Sequence, residues 1–269
     1  MYVMKANLLI LLFAAVISGN HIFAGEMDWT QWRGPNRDGV VTGKIWPNDL
    51  KAAHLAPKWR VELGSSYSGP VMDGDTVYVT ESSGDNEVVR ALDRTNGKEK
   101  WRHTWAGKMS VPFFAAKNGS WIRSTPALAN GKLFVAGMRD HLLCIDIKTG
   151  KRLWEINFPK EQKTPIPSFG CVCSPMADDK YVYMQAGAAF CKIEQDTGKM
   201  VWQSMKDKGG MYGSAFASPV FATLGDKEQI LVQSRTELAG VDVDSGGILW
   251  RQPVKAFRGM NILTPLPYK

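Results

Sequence analysis

Residues 145–154 read IDIKTGKRLW. A short alternating run ends on Asp146, a Thr-Gly turn follows at Thr149-Gly150, and Trp154 closes the stretch. The pattern returns as LDRTNGKEKW at 92–101, IEQDTGKMVW at 193–202 and VDVDSGGILW at 241–250. The glycines Gly97, Gly150, Gly198 and Gly246 and the tryptophans Trp101, Trp154, Trp202 and Trp250 both step by 53, 48 and 48 residues. Self-similarity at a fixed period of tens of residues marks an architecture built from one repeated supersecondary unit. One match of this length is weak; four in register are not.

A second marker precedes each unit. Gly69-Pro70, Thr125-Pro126, Ser174-Pro175 and Ser218-Pro219 put their prolines 31, 28, 27 and 31 residues before the paired Trp, and Thr264-Pro265 is a fifth. Between marker and Trp the chain alternates over short runs parted by turn residues. In the second unit these are the segment after Pro126, KLFV at 132–135 following Asn130-Gly131, LLCIDI at 142–147 and RLWEI at 152–156. Four short strands per repeat, separated by Gly and Asx turns, describe one four-stranded blade. In the Asp-x-x-Thr-Gly link the glycine accepts the left-handed backbone of a bulged hairpin, and the Asp and Thr side chains bond the turn's own amides. Asp93, Asp146 and Asp242 hold the acidic position, whereas Glu194 takes it in the third unit and Gly247 replaces the usual Lys in the fourth. The Trp falls on the outer strand, where its face fills the gap to the next blade. The expected fold is therefore all-β: a β-propeller of four-stranded antiparallel blades, about four complete blades plus partial ones, in an incomplete ring. PKWRVE at 57–62 resembles a further outer strand with Trp59 in the repeat position and no turn before it.

The domain layout expected is a signal peptide at 1–24, an N-terminal extension at 25–56 and the repeat domain at 57–269, truncated at its C-terminus. One lysine precedes the apolar run ANLLILLFAAVIS at 6–18, and small residues follow at Ala24-Gly25. That is the pattern of a secretory leader, too short for a membrane span. A periplasmic or secreted location follows, with no stable span after cleavage. The net charge is +7, yet Lys98, Lys151 and Lys199 occupy equivalent turns and no basic stripe forms, so nucleic acid is not an expected partner. The four cysteines, Cys144, Cys171, Cys173 and Cys191, are too few for a disulfide scaffold, leaving buried thiols or one cross-strand bridge.

At the Asp-x-x-Thr-Gly-Lys-x-x-Trp motifs the chain resembles the PQQ-binding-like β-propeller repeat family of quinoprotein and BamB-like proteins. Its opening, WTQWRGPNRDG at 29–39, is similar to a secreted, planctomycete-type subgroup. The resemblance implies either a quinoprotein alcohol dehydrogenase or a non-catalytic envelope scaffold with a protein partner. In the enzymes it implies pyrroloquinoline quinone (PQQ) held against an adjacent Cys-Cys pair, with Ca2+ and an Asp base. This sequence has no adjacent Cys pair and no Cys-x-x-Cys-His haem motif. His54, His103 and His141 lack metal-ligand spacing. No catalytic residue, metal ligand or cofactor is expected, PQQ with Ca2+ being the alternative. The expected binding surface is the long link from Trp101 to Pro126, 25 residues against 21, 17 and 15 in later links, with Phe113, Phe114, Trp121 and Arg123. Tyr212, in the loop before the fourth unit, joins them. Long loops on a rigid frame carry function, and aromatics with Arg anchor partners. The reading is a binding or assembly scaffold; the alternatives are a PQQ/Ca2+ dehydrogenase fragment and a carbohydrate- or polymer-binding sensor module.

Overall fold

The computed structural model describes residues 28–41, 47–214, 216–256 and 260–267. The expected signal peptide lies outside them. Sixteen strands form four antiparallel sheets, each a meander of sequence-consecutive strands. Blade 1 contains β1 (Val71–Asp73), β2 (Thr76–Ser83), β3 (Asn86–Asp93) and β4 (Glu99–Ala106). Blade 2 contains β5 (Ala127–Ala129), β6 (Lys132–Gly137), β7 (His141–Asp146) and β8 (Arg152–Asn157). Blade 3 contains β9 (Met176–Ala177), β10 (Tyr181–Ala186), β11 (Ala189–Glu194) and β12 (Met200–Ser204). Blade 4 contains β13 (Val220–Leu224), β14 (Lys227–Gln233), β15 (Glu237–Asp242) and β16 (Ile248–Pro253). Among the described residues the one helix apart from three short 3-10 turns is α1 (Phe158–Gln162), which follows β8. Each third-to-fourth pairing shifts register once, between Ala91/Leu92, Cys144/Ile145, Lys192/Ile193 and Gly240/Val241, which is the bulge the Thr-Gly turn requires.

Apolar cores lie between the blades, because each sheet buries both faces. Blades 1 and 2 share Val71, Val89, Leu133 and Ile145. Blades 2 and 3 share Phe134, Leu142, Val182 and Met184, and all four cysteines sit in that layer as buried free thiols. Blades 3 and 4 share Met176, Phe190, Ile230 and Val232. A small fourth cluster, Val220, Ala222 and Leu231 with Leu238 and Trp250, lies on the far face of blade 4.

At the outer rim the indoles lock each blade to the next. Trp101 Nε1 donates to the Ile147 carbonyl at 2.8 Å, Trp154 to Gln195 at 2.8 Å and Trp202 to Val243 at 3.3 Å. Each acceptor directly follows the turn acid of the next blade. The ring then lies on that turn's glycine, so closely that a Cβ on Gly150 would stand 2.7 Å from the Trp101 ring. Trp59 makes the same contact on blade 1, donating to Arg94 at 2.8 Å beside Gly97. Trp250 has no such turn to reach among the described residues and donates to Gln229 Oε1 of its own blade at 2.6 Å.

At the inner rim the Ser/Thr-Pro markers form a second lock. Gly69 N–H donates to Thr125 Oγ1 at 2.9 Å, Thr125 N–H to Ser174 Oγ at 2.9 Å, and Ser174 N–H to Ser218 Oγ at 3.0 Å. Each marker hydroxyl thus satisfies the buried amide of the marker before it. The N-terminal extension threads along the same rim. Trp29 exchanges backbone bonds with Met72, and Thr30 accepts from Leu128 N–H at 2.8 Å. Gln31 pairs through both side-chain atoms with the backbone of Ala177. Arg37 is fully buried and donates to Ser174 O at 3.2 Å and Pro175 O at 2.9 Å, and that burial pushes its pKa down to about 10. Trp32 Nε1 reaches Thr264 Oγ1 of the fifth marker at 3.2 Å. A segment of WTQWRGPNRDG therefore pins three inner strands in turn and touches the marker beyond blade 4.

The indole seat has a direct test. Gly131 and Gly150 have nearly equal φ of +71° and +68°, but a Cβ on Gly131 meets nothing within 4 Å. Gly131→Ala is expected to cost only backbone strain, roughly 1–2 kcal/mol. Gly150→Ala adds a collision with Trp101 and is expected to cost about 1–3 kcal/mol more. Denaturant unfolding of both variants measures the difference; equal losses would show that the indole does not need the gap.

Candidate functional site

The first and third hairpin turns of every blade lie at one end of the arc, and the second hairpin turns with the blade-to-blade connectors lie at the other. The connectors, 107–126, 158–175 and 205–219, therefore gather on one surface, and all five residues proposed from the sequence fall on it. The structure brings them together in three groups.

Phe113 and Phe114 open the 3-10 turn Phe113–Asn118 and are 90% and 56% exposed. Their rings meet at 5.6 Å, and Phe114 then meets Phe169 at 6.0 Å. Phe169 meets Phe216 at 5.9 Å. These rings come from three successive connectors and form one row. Sequence reasoning missed Phe169 and Phe216; each stands shortly before a Ser-Pro marker, and that position was the available signal.

Trp121 and Arg123 serve the connector itself. Trp121 packs on Tyr67 at 5.5 Å, and the Arg123 guanidinium lies 5.0 Å from the Tyr67 ring centre. Arg123 Nη2 donates to Gly119 O at 2.9 Å, and Tyr67 Oη to Asn118 O at 2.7 Å. Burial lowers the Arg123 pKa. This cluster holds the loop that presents Phe113 and Phe114. Tyr212, 63% exposed, stands apart, with the Arg235 guanidinium 5.4 Å from its ring centre.

Beneath the connectors two buried carboxylates stitch the blades. Glu87 accepts from Trp105 Nε1 at 2.8 Å and from the Met138 N–H of blade 2 at 2.9 Å. Asp140 Oδ2 accepts from the Gly187 N–H of blade 3 at 2.8 Å, while its Oδ1 is buried with no hydrogen-bond partner among the described residues. Burial pushes both up to about 7, and Asp207 adds to the shift of Asp140. The seam to blade 4 uses an amide instead: Gln185 Nε2 donates to Ala217 O at 2.7 Å and Gln233 O at 3.1 Å. No group of three or more His, Cys, Asp or Glu side chains suited to a metal forms among the described residues. None of their helices is long and apolar enough to cross a membrane.

The family model described as outer membrane protein assembly factor BamB matches residues 85–264. Among curated proteins, the 1-butanol dehydrogenase (cytochrome c) of Thauera butanivorans is 31% identical over 137 residues, which are 47% of this chain and 18% of that protein. The chain thus spans under a fifth of that relative's length. Among solved structures, BamB from Moraxella catarrhalis superposes with a TM-score of 0.54 at 19% identity, over 73% of this chain and 55% of that one. Quinohemoprotein alcohol dehydrogenase from Comamonas testosteroni gives 0.55 at 18%, over 71% and 36%. At such identities the likeness to both structures is one of fold.

The buried carboxylates make stability depend on pH. Their folded pKa values of about 7 exceed the ordinary 4.5 and 3.8. Their contribution is fully present below pH ~4 and is lost as pH rises through 7. His103 and His141, lowered by burial, act in the opposite direction, so the carboxylates are isolated by substitution. Glu87→Gln with Asp140→Asn is expected to reduce the fall in Tm from pH 5 to pH 8, read by thermal melts against wild type. An unchanged fall would show that neither group titrates there.

Proposed function

The chain belongs to the PQQ-like β-propeller family, and on that premise we propose that it is an exported, non-catalytic scaffold which holds an extended polypeptide segment of a partner in the cell envelope. The observation that carries this reading is the row Phe113–Phe114–Phe169–Phe216, whose ring centres are 5.6–6.0 Å apart. Side chains on one face of an extended peptide recur about every 6.6 Å. The row therefore matches a strand-like ligand with apolar residues at alternate positions. It stands on connectors fixed to rigid blades, which lowers the ordering cost of binding. The family's description as an outer membrane assembly factor supports a partner of this kind, and the leader-like first 24 residues support a periplasmic or secreted location. Among the described residues Trp250 has no turn to seat it, and Trp59 is seated on blade 1 without inner strands of its own, which supports a further blade between them.

The dehydrogenase reading draws on the butanol dehydrogenase relative. The residues present do not fit PQQ as the resemblance describes its site. Cys171 and Cys173 are non-adjacent, and both are buried in the core between blades 2 and 3 with their pKa values raised by that burial. Glu87 and Asp140 are committed to the backbone of the next blade.

Fluorescence anisotropy tests the scaffold reading. Ten-residue peptides with Val and Phe at alternate positions are compared with the same residues in polar-apolar blocks. The alternating peptides are expected to bind, and Phe114→Ser and Phe169→Ser to weaken them at least tenfold while the melting curve stays unchanged. Equal binding of both peptide sets, or affinity indifferent to the two substitutions, would overturn it. So would alcohol oxidation with an artificial dye acceptor after loading with PQQ and Ca2+.

A further inference from the structure

A second surface at the connector end is chemically unlike the phenyl row. Between the 205–214 stretch and the turn joining β14 to β15 lies an open cleft of about 740 Å3, lined by Lys206, Lys208, Tyr212, Arg235, Glu237 and Arg251 among others. Its charge is arranged by the backbone. Asp207, half-buried, also lines the cleft, but its carboxylate is engaged by the backbone: its N–H donates to Ala188 O, its Oδ1 accepts from Gly209 N–H at 2.7 Å, and its charge acts on Asp140. Lys206 and Lys208, on either side of it, are exposed at the cleft and have no carboxylate partner among the described residues. Glu237 is engaged by Arg251 at 3.3 Å.

Arg235 is held in place. Its N–H donates to Ser214 Oγ at 3.0 Å, its Nη1 to Met211 O at 2.9 Å, and its carbonyl accepts from Asn261 Nδ2 at 2.9 Å. Its guanidinium lies over Tyr212. The Tyr212 ring, mostly exposed, offers a flat platform beside a fixed cation and two exposed ones. A flat aromatic face with hydroxyls nearby (Ser214, Ser234 and Thr236 also line the cleft) suits the face of a sugar ring. The cations suit a sulfate or carboxylate borne on it.

We propose that this cleft binds an anionic saccharide, a sulfated or uronate-bearing segment of a polysaccharide, with its sugar face on Tyr212 and its anionic group on Lys206, Lys208 and Arg235. The site is distinct from the phenyl row, although Tyr212 and Phe216 share one connector, and it goes beyond the scaffold reading. A lipid surface is disfavoured by the hydroxyls of Ser214, Ser234 and Thr236 that line the cleft.

Isothermal titration of the full chain tests this with sulfated dextran oligosaccharides, oligogalacturonate and neutral dextran. Net charge is +7, so unspecific attraction is controlled by a variant of equal charge change at the opposite end, Lys98→Gln with Lys199→Gln. Binding of at least one anionic series and not of neutral dextran is expected. Lys206→Gln with Lys208→Gln should weaken it at least tenfold, Tyr212→Ala at least threefold, and the control pair less than twofold. These are surface positions, and unchanged melting curves confirm folding. No binding, equal binding of neutral dextran, or equal loss in the control pair would overturn the proposal. Anionic-lipid vesicles that bind through the same lysines while the oligosaccharides do not would also overturn it.

Discussion

The contact between an indole and the glycine turn of the following blade is the constraint from which the rest of the structure follows. A tryptophan brings a large apolar face and one N–H that needs an acceptor when half buried. The turn supplies both partners at once: a carbonyl just past the acid, and a glycine whose missing side chain lets the ring lie on the backbone. That left-handed glycine is also what bends the third strand into the fourth. One residue therefore makes the hairpin and the blade interface together. Trp101, Trp154 and Trp202 repeat this geometry, and Trp59 extends it to blade 1. Trp250 shows what an indole does without the turn, bonding within its own sheet.

A blade held at one point would pivot. The relay of Ser and Thr hydroxyls along the inner rim supplies the second point, and the Trp29–Arg37 segment ties it to a single strap. Arg37 is a costly group to bury, and it persists there because two carbonyls receive its guanidinium. Glu87 and Asp140 form a third layer of ties beneath the connectors. Burial keeps them near neutrality, so the seams between blades 1, 2 and 3 carry a pH-dependent element that the seam to blade 4 replaces with Gln185. The two ends of the arc thus differ: one is closed by short turns and the strap, the other carries the long connectors.

The long connectors gather at that second end because only there does the chain have length to vary without disturbing the locks. The phenyl row and the cationic cleft meet on one connector, where Phe216 follows Tyr212 by four residues, yet they are fixed by different local bonds and suit different chemistry. Trp121 and Arg123 show the division of labour within one loop: they pack on Tyr67 and hold the turn from which Phe113 and Phe114 project. A fold shared by envelope scaffolds and dehydrogenases carries no function by itself.

The repeat, the four blades, the bulged turns and the tryptophans of the outer strands were all legible in the sequence, because each is set by residues within about ten positions of one another. Placement on the connector surface was legible for Phe113, Phe114, Trp121, Arg123 and Tyr212 for a similar reason: loop length and residue type are local properties. What no local pattern contained was who meets whom. Phe169 and Phe216 join Phe114 only because three connectors converge, and Tyr67 joins Trp121 from a full repeat earlier in the chain. The Ser/Thr of the markers was visible as a recurrence, but its role as acceptor for the previous blade's amide needed the stacking. The opening WTQWRGPNRDG had no periodicity to interpret; its course past three inner strands is decided by which buried amides and carbonyls were left to satisfy once the blades had packed.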